Sequence, residues 1–243
     1  MMTGRLLALW SVPRARSTAF LRMMIERGDL TVVHEPFSRV AHFGSVAVGD
    51  RTCRSAVEVI QALRVLAEQG PVFFKDTVER RHPDVLADGD FQRAVTHSFM
   101  IRSPQAVVAS YLRLDARAER EAMGFENLAE LYDVVCASTG QDALVVDADQ
   151  LIADPERTVR AYCRYAGIPF RQDALRWQAG ALPDWRQFSR WHERAATTTG
   201  FVQTDPGSLP VELRRLAEAY VAYHRPFYSR LLAKTSMGCP RQR

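Results

Sequence analysis

Short apolar runs alternate with amphipathic stretches along this chain, and that alternation limits what it can fold into. Residues 5–12 (RLLALWSV), 31–34 (TVVH), 71–75 (PVFFK), 98–101 (SFMI) and 143–146 (ALVV) read as buried strands, the first ending at Pro13. Between them, residues 17–27, 55–69, 105–114, 127–137 and 155–166 read as helices. Gly28 stops the first of these, and Val59, Leu63 and Leu66 share one face of the second. Residues 184–194 and 210–233 read mostly as helix, giving a helical C-terminal third. Strands joined by helices of this length predict a central parallel sheet with helices on both faces. No internal repeat or linker divides the sequence, so residues 1–243 are expected as one α/β domain.

Composition narrows the class of function. The chain has 243 residues, 47% hydrophobic and 25% charged, enough for one sizeable core. No apolar stretch approaches the roughly 18 residues that cross a bilayer. The run before Pro13 ends without a small-residue cleavage site, so a cytoplasmic protein is expected. A net charge of +4 with no Lys/Arg-rich run leaves no nucleic-acid footprint. Cys53, Cys136, Cys163 and Cys239 are scattered with no Cys/His cluster, which disfavours a disulfide framework and a metal site. Cys163 falls on a helical face, where a buried thiol is the default.

Ligands of parallel sheets bind outside the carboxyl ends of the strands. After the first strand stands Pro13-Arg14-Ala15-Arg16-Ser17-Thr18, with two guanidiniums and two hydroxyls at the start of a helix. Free N–H groups and a positive dipole end make such a terminus an anion seat, and Arg14, Arg16, Ser17 and Thr18 add donors. A simple helix cap explains one hydroxyl but not this density. The loop has neither the Gly nor the Lys of GxxxxGK[ST], which disfavours a nucleoside-triphosphate site. After the fourth strand come Arg102 and Pro104, with Ser110 about two turns along the next helix.

These segments resemble those of the sulfotransferase family, whose donor is 3'-phosphoadenosine 5'-phosphosulfate (PAPS). The first loop is similar to the family's P-[KR]-S-G-[ST]-T, with Arg16 where Gly is usual. RSPQAVVAS is similar to its R-[ND]-P-x-D-x-x-x-S, with Gln105 in place of Asp. Residues 147–156 and 158–170 resemble the family's Y-E-D-L-x-x-D-P and L-G-L-P-F segment, which is structural and carries no chemistry. The resemblance spans about residues 5–170. It implies a P-loop-like three-layer α/β/α fold, with Arg14, Ser17 and Thr18 on the 5'-phosphosulfate and Arg102 and Ser110 on the 3'-phosphate. Arg16 either tolerates the backbone shape that Gly allows and adds charge, or alters the site.

Sulfuryl transfer to a hydroxyl needs a general base and positive charge at the leaving oxygen, and no metal. Some family members use a Glu just after the second strand, where Glu35 stands before Pro36. Efficient base catalysis would require burial to raise its pKa; the structural alternative is an ion pair with Arg39 or Arg14. The K-x-H pattern of other members is broken, since Thr77 follows Lys75 at the His position. Lys75 is kept, and His82 or His34 is a substitute base. The family's RKGxxG loop is not found; the nearest stretch is residues 192–201. Trp185, Phe188 and Trp191 either line an apolar acceptor pocket or pack a helix. The expected reaction uses PAPS and a small-molecule hydroxyl acceptor, without nucleic acid or membrane. The residues do not fix whether the chain is a homodimer. A non-sulfonating enzyme on another anionic substrate and an inert nucleotide-binding protein stay as alternatives.

Overall fold

The computed structural model describes residues 4–182, 185, 189–203 and 208–235, without the side chains of 189, 190, 192 and 194. The chain begins with β1 (Leu6–Ser11), α1 (Ser17–Glu26), β2 (Thr31–His34) and α2 (Pro36–Phe43). A small hairpin of β3 (Val46–Val48) and β4 (Arg51–Cys53) follows, then α3 (Ala56–Gln69) and β5 (Val72–Thr77). Next come α4 (Pro83–Ala87), α5 (Gly89–Ala94), β6 (Val95–Ile101), α6 (Pro104–Leu112) and α7 (Phe125–Thr139). The remainder is β7 (Leu144–Asp147), α8 (Ala148–Ala153), α9 (Pro155–Ala166), α10 (Ser189–Ala196) and α11 (Arg214–Thr235).

The main sheet has the order β2-β5-β1-β6-β7, all parallel, as the strand–helix alternation predicts. β1 is buried at every position because it lies at the centre of the sheet with a helical layer on each side. Strand alternation divides the sheet into two faces. Phe73 packs with Phe20 of α1, which meets Tyr162 of α9 edge-on at 4.8 Å. Trp10 packs with Phe74, and Phe37 of α2 and Phe91 of α5 join the same aromatic cluster. The same alternation sends Lys75 and Asp76 to opposite faces, which matters at the site below. α11 continues through Pro226 and covers most of the helix expected at 210–233. The helix expected at 184–194 is seen as α10 from Ser189, while 184 and 186–188 lie outside the described residues.

His97 sits in the aromatic cluster, its Nδ1 accepting from Trp10 Nε1 at 2.9 Å and its Nε2 lying 3.2 Å from the Gln92 carbonyl. These partners fit the neutral ring, and burial holds its pKa at about 4 instead of 6.5. The folded ring is therefore neutral where the unfolded ring takes a proton. Stability from this group is full above pH 6.5 and is lost as pH falls to about 4, worth about 3 kcal/mol in all. Denaturant unfolding of a His97→Gln variant across that window is expected to lose this share of the pH dependence. A variant slope equal to the parent's would refute it.

Candidate active site

A cavity of about 400 Å³ opens at the carboxyl ends of β1, β2, β5 and β6. Among the described residues, Arg14, Arg16 and Glu35 are the non-glycine residues with positive φ, at 65°, 63° and 50°, and all three line it. A left-handed L-residue costs about 1–3 kcal/mol, and such strain collects where a site needs it. Arg16 takes a left-handed backbone shape that Gly adopts without strain, and keeps a charged side chain. It is also the N-cap of α1, and no side chain caps that helix. The uncapped N-terminus thus borders the cavity beside Ser17 and Thr18. Ser11 Oγ donates to Ser17 Oγ at 2.9 Å and fixes that hydroxyl.

The β6 motif closes on this loop. Arg102 Nη1 donates to the Arg14 carbonyl at 3.2 Å, and Arg14 Nε donates to Ser110 Oγ at 3.1 Å. Arg14, Arg16, Ser17, Thr18, Arg102 and Ser110 therefore share one wall. Asp149, from a segment expected to carry no chemistry, stands on α8 with Oδ1 3.6 Å from Arg102 Nε. Burial lowers the Arg16 pKa, and Asp149 partly offsets this. The sequence offered no signal for that carboxylate, because the sheet alone brings α8 to the end of β6.

Glu35 and Lys75 meet on the floor. β2 pairs with β5 so that His34 lies beside Lys75, and Glu35 N donates to the Lys75 carbonyl at 2.7 Å. Lys75 Nζ donates to Glu35 Oε1, and His34 Nε2 lies 3.5 Å from the same oxygen. The partners are thus Lys75 and His34, not Arg39 or Arg14. Burial pushes the Glu35 carboxyl up, but the Lys75 and His34 charges outweigh it and hold it well below its ordinary value. The shift is opposite to the one that efficient base catalysis calls for. Behind the pair, Asp76 accepts from the Phe37, Ser38 and Thr77 amides at 2.6, 3.2 and 2.9 Å. Asp76, not Glu35, thus satisfies the start of α2, leaving the Glu35 carboxylate free for Lys75. His82 is not brought to this cavity. It is buried against Trp10 and Phe37 with Nε2 on the Thr77 carbonyl at 2.9 Å, because the aromatic cluster claims its ring.

The far wall comes from the C-terminal third. Arg14 Nη1 donates to the Trp191 carbonyl at 2.7 Å, and Arg16 Nη1 to the Val202 carbonyl at 2.8 Å. Ala195, Thr198, Gly200 and Val202 line the cavity, so the stretch weighed in place of RKGxxG forms part of its wall. The side chains of His192 and Arg194 lie outside the described residues, as do Phe188 and Cys239. Trp191 lines the cavity against Arg14, whereas Trp185 is buried beneath Arg22. No cluster of His, Cys, Asp and Glu suited to a metal occurs among the described residues. No helix among them is long and apolar enough to cross a membrane.

Comparison with known proteins agrees with this architecture. Two Arabidopsis thaliana proteins, branched-chain-amino-acid aminotransferase-like proteins 2 and 1, are 28% and 27% identical over 211 and 205 residues. Each match covers 79% of this chain, which spans only 35% and 36% of those curated relatives. The crystal structure of a sulfotransferase from Alicyclobacillus acidocaldarius is 14% identical, with a TM-score of 0.50 and 95% of each chain covered; it supports the fold. The family model described as a sulfotransferase domain matches residues 5–235, and by that near-complete match the chain belongs to the sulfotransferase domain family.

Proposed function

We propose that the protein transfers a sulfuryl group from PAPS to a hydroxyl of a small-molecule acceptor, with Glu35 as general base. The observation that carries this reading is the convergence of three guanidiniums with the Glu35–Lys75 pair in one cavity. Its volume is in the range of small-molecule sites. The donor set suits a bisphosphate. Arg14, Arg16 and Arg102 provide fixed positive charge, Ser17, Thr18 and Ser110 provide hydroxyls, and α1 starts without a side-chain cap. Arg16 Nε is buried without a hydrogen-bond partner among the described residues, which favours an anionic neighbour.

Bound PAPS supplies a sulfuryl group on a phosphate leaving group. In this assignment Arg14, Ser17 and Thr18 hold the phosphosulfate end, and Arg102 and Ser110 hold the 3'-phosphate. Lys75 meets charge at the leaving oxygen, and Glu35 takes the acceptor proton. An anion beside Lys75 shares its ammonium and relaxes its hold on Glu35, moving that carboxyl back toward ordinary basicity.

The first test is binding of 3'-phosphoadenosine 5'-phosphate (PAP), read as a rise in melting temperature, followed by turnover of labelled PAPS. Arg102→Ala is expected to weaken PAP binding by about 1.5–3 kcal/mol, since a charge-assisted contact is lost. Calorimetry checks this, and unchanged affinity would remove Arg102 from the donor site.

A further inference from the structure

We propose that the acceptor is an anionic alcohol, a hydroxyl compound bearing a carboxylate or phosphate, and that Arg80 selects it. This inference rests on the sulfuryl-transfer reading above. Beyond Glu35 and Lys75 the cavity continues to Ser38, His42, Thr77, Glu79, Arg80 and Ala122. No Phe, Tyr or Trp is among these six, so this end has no ring face of that kind to stack on a phenol or steroid. Tyr111 and Trp191 line the cavity in contact with each other, and Trp191 lies against Arg14 on the wall assigned to the donor.

The carboxylates at this end are already engaged by groups other than Arg80. Lys75 is paired with Glu35, and His42 Nε2 with Glu79 Oε1. Arg80 has no hydrogen-bond or ion-pair partner among the described residues. A guanidinium is planar, always charged and forked, and it matches an oxyanion with two parallel bonds.

The segment that presents Arg80 is anchored. Val78 N donates to the Ser11 carbonyl at 3.1 Å, and Asn127 Nδ2 donates to the Val78 carbonyl at 2.9 Å. Gly124, at φ 73°, packs on the same carbonyl, where a Cβ would stand only 2.6 Å from its oxygen. Arg80 therefore follows a fixed turn at the mouth of the cavity.

The test compares two matched acceptor pairs with labelled PAPS, 3-hydroxybutyrate against 2-butanol and glycerol 3-phosphate against glycerol. The anionic member of at least one pair is expected to show tenfold or higher kcat/KM, and the pair with the larger ratio identifies the oxyanion. Arg80→Gln is expected to bring that ratio near one, and Arg80→Lys to restore part of it. Equal use of both members, or a preference that survives Arg80→Gln, overturns the proposal. PAP calorimetry separates the two readings. A protein that binds PAP but turns over neither pair refutes the acceptor class alone. A protein that does not bind PAP refutes the donor reading and this inference with it.

Discussion

Glu35→Gln is expected to lower sulfuryl transfer from PAPS by about 10²- to 10⁴-fold while PAP affinity is retained, the usual range for loss of a positioned base. The substitution keeps the shape of the side chain and an oxygen that can accept from Lys75, but removes the group that takes a proton. A pH profile separates this from a structural defect. The acid limb of kcat/KM reports the free enzyme, where Lys75 and His34 hold Glu35 well below its ordinary value. That limb is expected at low pH. The acid limb of kcat reports the complex, where the donor anion shares Lys75, and it is expected at higher pH. Both limbs disappear in Glu35→Gln. Full turnover by the variant would take the role of base away from Glu35, and His82, enclosed by Trp10 and Phe37, would not inherit it.

The main sheet was legible because its strands lie between two helical layers and so read as continuous apolar runs. TVVH marks β2 at its observed bounds, and PVFFK overlaps β5 from Val72 onward. The elements that escaped are short. β3 and β4 have three residues each, α4 has five, and α5 and α8 have six, too few for a period to emerge. α2 escaped because its start is satisfied from another strand, by Asp76, and not by a local cap. The two arginine-bearing motifs were legible because each is local to one strand end. The far wall was legible only as the candidate stretch 192–201 and not in its partners, since Arg14 meets the Trp191 carbonyl 177 residues away and Arg16 meets that of Val202 across 186. The direction of the Glu35 shift was hidden for the same reason. It depends on β2 lying beside β5 in the register that sets His34 against Lys75.

Lys75→Met is expected to destabilise the fold by about 3–5 kcal/mol, because it leaves the Glu35 carboxylate buried without its main counter-charge. The pH dependence gives this prediction its sign. In the parent, the folded Glu35 pKa lies below its ordinary value of 4.5. Its contribution is present above that value and is lost as pH falls through the folded pKa. Without Lys75 the burial effect, which acts upward, is no longer outweighed by its largest opponent. The folded carboxyl then binds its proton more tightly than the unfolded one, and stability from this group falls as pH rises above 4.5. Urea unfolding from pH 3.5 to 7 is therefore expected to show the stability gap between the two proteins widening as pH rises, the His97 contribution being common to both. The double variant Lys75→Met with Glu35→Gln removes both charges and is expected to recover most of the loss, so the double-mutant cycle reads the pair directly. If the double variant is as unstable as Lys75→Met alone, the loss belongs to packing around Lys75. The Glu35–Lys75 pair would then not set the chemistry of the cavity floor.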